Sequence, residues 1–235
     1  MEGSTTKSAF LRGVMLALPF TIVVAPFAML FGIVATEAGL DLAETMGFAI
    51  LVIAGAAQFT ALQLLVDQAE TWAVLAAALA VNLRMAMYSA SLVPWIGRAP
   101  FWQRALVAYV NIDQTYAASI TAYERDPAMT VTQRIALFLG TAAPVAPLWY
   151  LFTVLGALLG TGIPDAWALD FALPITFIAM VGPMLKSVAH VAAAATSVAL
   201  SLLLAGLPSG LGLLAAAFSA MLVGALVEMA MERRR

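Results

Sequence analysis

The sequence predicts an all-α polytopic membrane protein, with a single transmembrane domain over residues 1–235. Composition is the first reason: 63% of the residues are hydrophobic and only 10% are charged, whereas soluble domains carry about 25% charged residues. The second reason is the length of the apolar runs, which far exceeds the roughly ten residues of a transmembrane barrel strand. Because hydrocarbon cannot hydrogen-bond exposed backbone, such runs are expected to form helices.

Eight hydrophobic segments follow one another along the chain, most of them close to the ~20 residues that a helix needs to cross the bilayer core. They cover residues 13–36, 45–66, 71–96, 103–122, 133–162, 169–185, 187–206 and 209–230. The first segment is too long for a secretory signal and lacks a small-residue cleavage site, so we expect it to remain as a transmembrane helix. The stretches between segments are too short to hold a soluble catalytic domain.

The loop charges predict how often the segments cross. Cationic loops favour the cytoplasm, but eight full crossings would place Arg98 and Arg104 outside and the acidic loop 67–70 inside. Every loop obeys the rule if segments two and four each enter and leave on one side. Both contain residues suited to a break, at 55–58 and 111–115, and broken helices occur where they line a cavity. We therefore predict six to eight crossings with both termini cytoplasmic: six crossings plus two re-entrant or broken segments is the hypothesis, and eight full crossings is the alternative.

Proline placement suggests an internal repeat. Proline removes a backbone donor and kinks a helix, and the first segment carries Pro19 and Pro26. Its Leu18-Pro19-Phe20-Thr21-Ile22 is echoed by Leu173-Pro174-Ile175-Thr176-Phe177 in the sixth segment. Paired broken segments in two halves are typical of inverted-repeat transporters. Chance recurrence of common apolar residues is the alternative.

Two charged residues lie deep within apolar segments, Arg84 in the third and Asp113 in the fourth. Because a charge inside the membrane costs at least about 2.5 kcal/mol on insertion scales, it usually faces a cavity or a partner. Arg84 and Tyr88 share one helix face, and Arg84 could pair with Asp113 or hold a ligand carboxylate through its guanidinium fork. Asp113 could then receive an ammonium group or a coupling proton. A static ion pair that only fixes helix register is the alternative.

Gln58 is the next polar candidate, since Gly55 and its small neighbours would let a ligand approach the backbone closely. An interhelical hydrogen bond is an equally good interpretation. The absence of cysteine and the single histidine, His190, predict neither a metal site nor a cofactor. Nucleic acid is not an expected partner, because the basic residues cluster only at 233–235.

Three sequence blocks resemble the AzlC family: Gly55-Ala56-Ala57-Gln58-Phe59, then 82–92 beginning Asn82-Leu83-Arg84, and Asp113-Gln114-Thr115-Tyr116. The resemblance implies a large subunit that exports branched-chain amino acids, and in some members methionine, from the bacterial cytoplasmic (inner) membrane. It also implies a small partner of the AzlD type in the lipid bilayer. The substrate site would comprise Arg84, Asp113, Gln58, Asn82, Tyr88, Gly55 and Pro26.

The chain departs from the family pattern at two titratable positions. The family commonly has histidine after the arginine and glutamate after the aspartate, where this chain has Met85 and Gln114. Asp113 is therefore the remaining candidate for coupling transport to an ion or proton. A non-transporting assembly subunit and a transporter of a different small solute are the alternatives. An enzyme is not expected, since neither a Gly-x-Ser-x-Gly elbow nor an HExxH motif occurs, and the phosphate loop of ATPases is also missing.

Overall fold

A computed structural model describes residues 5–160, 185, 187–207 and 211–232, and their regular secondary structure is helical. The helices are α1 (Thr6–Glu37), α2 (Leu42–Leu51), α3 (Gly55–Val66), α4 (Thr71–Ile96), α5 (Phe101–Tyr109), α6 (Asp113–Arg125), α7 (Val131–Gly160), α8 (Val188–Leu203) and α9 (Leu211–Glu232). The predicted helical membrane fold is confirmed. Segment six, apart from Leu185, and with it the second copy of the suggested repeat lie outside the described residues.

Four of the described helices are long and apolar enough to cross a bilayer: α1, α4, α7 and residues 215–232 of α9. Segments two and four are each divided into two shorter helices, which confirms that they are broken. The breaks precede the predicted positions slightly. The non-helical residues are 52–54 and 110–112, so Gly55 and Asp113 instead begin the second helix of each pair.

The chain divides into two compact units, Met1–Phe59 with Ala78–Ile163 and Thr60–Ala77 with Pro164–Arg235. In the second unit the main described packing is between α8 and α9. All the candidate site residues belong to the first unit. The expectation of a single domain stays a prediction.

Helices α1 and α7 pack side by side and parallel along a seam of glycines. Gly13 and Gly140 lie against each other's helices near one end, and Met29 and Gly156 meet near the other. The Thr36 hydroxyl also donates to the Ala157 carbonyl at 3.3 Å. Small residues let helix backbones approach closely in a membrane, where van der Waals contact drives association. The two helices therefore begin on one membrane face, which we call the N-terminal face, and end on the opposite face.

Helix α4 runs toward the N-terminal face. The Arg134 guanidinium at the start of α7 lies 4.9 Å from the Trp95 ring centroid, and its Nη1 donates to the Trp95 carbonyl at 3.1 Å. The Trp95 ring also lies 5.8 Å from that of Tyr123, near the end of α6. The end of α4 and the start of α7 are thus neighbours. Segment four, which connects them, must enter and leave the membrane on the N-terminal face.

Contacts along α4 show that α5 and α6 form a re-entrant hairpin. Asn111, just after α5, contacts Ser89, seven residues before the end of α4. Helix α6 then returns alongside α4, through the paired contacts of Arg84 with Asp113, Ser91 with Tyr116 and Trp95 with Tyr123. The nine residues of α5 span about 13 Å, roughly half of a 30 Å hydrocarbon core. The tip of this hairpin therefore lies near mid-membrane.

Segment two turns back in a similar way from the opposite face. The Phe48 ring of α2 stacks on Phe31 of α1 at 6.1 Å, and Phe59 of α3 meets the same Phe31 ring at 5.5 Å. The Gln58 Nε2 donates to the Phe48 carbonyl at 3.1 Å. A straight helix would separate residues 48 and 58 by about 15 Å along its axis. The chain therefore reverses at residues 52–54, which favours the re-entrant hypothesis over eight full crossings.

Thiol labelling tests this arrangement in a chain that has no native cysteine. We expect cysteines at the exposed positions Lys7, Arg98 and Arg125 to react with a membrane-impermeant maleimide from one side, and a cysteine at Asp41 from the other. The reason is that both re-entrant hairpins return to the face from which they started. Labelling of Arg98→Cys from the same side as Asp41→Cys would contradict the fold.

Candidate functional site

The two helix breaks lie against each other in the first unit. Ile53 from one break and Ile112 from the other pack on the same buried cluster, which includes Trp149 of α7. The Tyr109 hydroxyl donates to the Ile50 carbonyl at 3.0 Å. That carbonyl lies at the end of α2, where backbone acceptors lose their helical partners. Tyr109 therefore joins the two hairpins and satisfies a backbone group that the break exposes.

The break at residues 110–112 is held by Thr115, whose side chain is almost fully buried. The Ile112 N–H donates to the Thr115 Oγ1 at 3.0 Å, and the same hydroxyl lies 2.9 Å from the Val110 carbonyl. Ile112 is in an extended conformation, with φ −115° and ψ 169°. Helix α6 thus starts at a defined point and places Asp113 in its first turn.

The Arg84 Nη1 lies 3.0 Å from the Asp113 Oδ2, and the Tyr88 hydroxyl donates to the Asp113 Oδ1 at 3.0 Å. Arg84 stands near the middle of α4, 13 residues after Thr71 and 12 before Ile96. The amino end of α6 also stabilises the aspartate charge, by typically 0.3–1 kcal/mol for a helix terminus. Arginine, tyrosine and helix terminus thus all stabilise the negative charge of one carboxylate. The predicted partnership of Arg84 with Asp113 is present in the structure.

An aromatic stack extends this site along α4 and α6. The Tyr88 and Tyr116 rings are stacked, with centroids 4.1 Å apart and planes 7° from parallel. The Tyr116 hydroxyl lies 2.7 Å from the Ser91 Oγ. The stack fixes the position of the Tyr88 hydroxyl that donates to Asp113. The stacked Tyr116 ring therefore helps to hold the Tyr88 hydroxyl in place to donate to the Asp113 carboxylate.

Several polar atoms around this site are buried and make no hydrogen bond among the described residues. They are the Arg84 Nε, the Asn82 Oδ1 and the Asn111 Oδ1. A buried polar atom without a partner costs about 1–3 kcal/mol, so such atoms are uncommon in native proteins. These atoms belong to Arg84 or to residues two positions from Arg84 or Asp113, so they are candidates for hydrogen bonds to a ligand. The side chains of Arg84 and Asp113 remain 26% and 40% exposed.

The other predicted site residues are not all in this group. Gly55 packs against the rings of Phe27 and Trp149, and Gln58 is fully buried against α2, so both lie at the neighbouring break. Pro26 is exposed on α1, one residue before Phe27. Arg84, Tyr88 and Asp113 thus form one group and Gly55 and Gln58 another, joined through the packed tips of the hairpins.

Sequence reasoning missed two tyrosines and a tryptophan that pack around the breaks. The Tyr109 hydroxyl, besides bonding Ile50, lies 2.9 Å from the Tyr150 hydroxyl. The available signal for Tyr109 was its position directly before the predicted break in segment four. Trp149 lies within α7, where it is 7% exposed and packs against Phe27.

Replacing Tyr109 by phenylalanine is expected to loosen the junction of the hairpins. The change leaves the Ile50 carbonyl without its donor, which should cost about 1–3 kcal/mol. Detergent-solubilised protein should show this as a lower midpoint of thermal unfolding. The matched control is Tyr150→Phe, which keeps the bond to Ile50 and should cost less. Equal midpoints for the two variants would show that the Ile50 bond contributes nothing.

Comparison with known proteins identifies the family. Residues 19–163 match the family described as AzlC protein. The chain is 29% identical to the inner membrane protein YgaZ of Escherichia coli (strain K12) over 188 residues, covering 75% of this chain and 76% of that protein. It is 31% identical to an uncharacterized membrane protein of Archaeoglobus fulgidus over 224 residues, covering 92% and 94% of the two chains. No solved structure matches significantly. The protein that pairs Arg84 of α4 with Asp113 of a re-entrant hairpin therefore belongs to the AzlC family of membrane proteins.

Proposed function

We propose that this protein is the large subunit of a secondary transporter that exports valine, leucine, isoleucine and methionine across the bacterial cytoplasmic membrane. Membership of the AzlC family supports a role in membrane transport. The observation that carries the proposal is the ion pair of Arg84 with Asp113, at the mid-membrane tip of a re-entrant hairpin. Discontinuous helices that meet near the bilayer midplane are where transporters bind substrates and ions.

The ion pair suits an amino-acid head group. Arg84 holds the substrate carboxylate through the guanidinium fork, and Asp113 receives the ammonium group. In the absence of substrate the two side chains neutralise each other, which limits the cost of burying charge. A zwitterion that enters exchanges one ion pair for two and keeps the site neutral. The partial exposure of both side chains leaves them accessible to a ligand.

The second break supplies further contacts. Gly55 begins α3 beside Phe27 and Trp149, and the backbone N–H groups of a helix start attract negative groups. Gln58 and Asn82 contribute polar atoms, since the Gln58 Oε1 and the Asn82 Oδ1 have no hydrogen-bond partner among the described residues. Pro26 removes a backbone N–H donor from α1 next to Phe27. Together these residues complete the proposed substrate site around Arg84, Tyr88 and Asp113.

The same arrangement supports a proposal for transport direction and coupling. The N-terminal face carries Lys7, Arg12, Arg98, Arg104 and Arg125, and the positive-inside rule favours the cytoplasm for such a face. Substrate enters from this face and leaves past the segment-two hairpin on the opposite side. Asp113 couples the cycle to a proton or another cation in the steps in which it does not hold the substrate ammonium group. A small AzlD-type subunit completes the transporter.

Counterflow in proteoliposomes tests the proposal. Purified protein is reconstituted into proteoliposomes with and without an AzlD-type partner. The proteoliposomes are preloaded with unlabelled leucine, and labelled leucine, valine, isoleucine or methionine is added outside. We expect transient accumulation of label above equilibrium, which only a carrier produces. Labelled glutamate and lysine are the control solutes. No accumulation by folded, inserted protein in either combination would overturn the proposal and favour an assembly subunit or a different solute.

A further inference from the structure

A cavity of about 200 Å³ lies between α4 and α5 in the first unit. Its walls are apolar, formed by Leu92 and Val93 of α4 and by Val107 and Ala108 of α5. Arg104 stands at the end nearer the N-terminal face, and Ser89 and Asn111 close the deep end. The cavity therefore extends along the re-entrant hairpin from the loop toward the mid-membrane break.

The residues at the deep end of the cavity are close in sequence to those of the proposed head-group site. Ser89 follows Tyr88, and Asn111 precedes Asp113 by two residues and is 3% exposed. The Asn111 Nδ2 donates to the Ser89 Oγ at 3.3 Å, while its Oδ1 has no hydrogen-bond partner among the described residues. An amide acceptor without a donor is suited to an ammonium group. The polar end of the cavity and the ion pair thus offer complementary groups to one zwitterion.

We propose that this cavity receives the aliphatic side chain of the transported amino acid while its head group is held at Arg84, Asp113 and Asn111. The inference rests on the proposed function and adds the determinant of side-chain selectivity. An apolar group gains by leaving water for such walls, by roughly 0.8 kcal/mol for each CH₂. The side chains of Leu92, Val93, Val107 and Ala108 offer no hydrogen bond to a polar side chain between the two polar ends, so polar amino acids are selected against.

The cavity is open on one side, and its size favours small side chains over large ones. An apolar cavity of about 150 Å³ holds benzene, with six heavy atoms. In the same proportion, the 200 Å³ cavity holds about eight. The four heavy atoms of a leucine, isoleucine or methionine side chain fit, whereas the ten of tryptophan exceed this number. Weaker counterflow of tryptophan than of leucine by the wild-type protein is the first expected consequence.

Filling the cavity tests the inference. Ala108 is exposed on the cavity wall, so Ala108→Phe should fold normally and reduce the space available. We expect the KM for leucine in counterflow to rise at least fivefold more than the KM for valine. The matched control is Ala105→Phe, on the same helix and equally exposed but away from the cavity. It should leave the leucine-to-valine ratio unchanged.

A second variant enlarges the cavity. Val93→Ala removes two methyl groups from an exposed wall residue and should increase counterflow of tryptophan relative to leucine. Unchanged selectivity in both cavity variants, with active wild-type protein, would overturn this inference and leave the proposed function standing. If the cavity variants instead lose counterflow equally for all substrates and no longer co-purify with phospholipid, the cavity is a lipid-binding groove and the inference is wrong. Wild-type protein without counterflow would remove both proposals.

Discussion

Replacing Arg84 by glutamine is expected to lower counterflow of leucine by about 10- to 150-fold. A hydrogen bond to a charged group contributes about 1.5–3 kcal/mol, and each 1.4 kcal/mol is about tenfold in an equilibrium constant. The substitution removes the guanidinium that lies 3.0 Å from Asp113 and is proposed to hold the substrate carboxylate. Arg84→Lys keeps the charge but loses the bidentate geometry, so an intermediate decrease is expected.

Two controls separate substrate binding from a static ion pair. Arg98→Gln removes an exposed arginine from the loop after α4 and should leave counterflow unchanged. The double variant Arg84→Gln with Asp113→Asn removes both charges and so avoids an unpaired buried group. If the pair only fixes helix register, the double variant should recover transport. The substrate-binding role predicts that it folds and remains inactive, and recovery of transport would refute that role.

The largest loss of stability is expected from adding a methyl group to the seam between α1 and α7. A Cβ at Gly156 would meet the Met29 backbone carbonyl, which has no side-chain freedom to move away. Overpacking of a well-packed interior costs about 1–3 kcal/mol, and each kcal/mol lowers Tm by about 2–4 °C at this chain length. Gly156→Ala should therefore lower the unfolding midpoint measurably in a thermal scan of the solubilised protein.

The matched control for this substitution is Gly47→Ala in α2. An added Cβ at Gly47 meets nothing within 4 Å, and alanine favours the helix over glycine by roughly 0.5–1 kcal/mol. We expect a midpoint equal to the wild-type value or slightly higher. A similar decrease for both variants would mean that the close α1–α7 contact does not explain the effect of Gly156→Ala, because helix propensity by itself favours alanine at both positions.

Sequence reasoning found the features that depend on a single segment and missed those that join residues far apart in the chain. The bounds of α4 match the third segment, 71–96, since a long apolar run in lipid has only the helix available to it. The pairing of Arg84 with Asp113 also followed from sequence, because opposite charges at depth need partners. The bond from Tyr109 to the Ile50 carbonyl did not, since it joins residues 59 positions apart.

Composition and charge by themselves determined that the chain is a helical membrane protein and that Arg84 and Asp113 are the charges at depth, while the breaks in two segments were predicted with eight full crossings as the alternative. The first two features depend on the cost of transferring each segment from water to lipid, which is local to the segment. Tertiary structure alone decided that the hairpins return to their own faces, that they are joined by Tyr109 and Ile50, and that a cavity lies beside α5. These features depend on which helix faces pack together, and in lipid that choice rests on shape and hydrogen bonding between distant residues rather than on hydrophobicity.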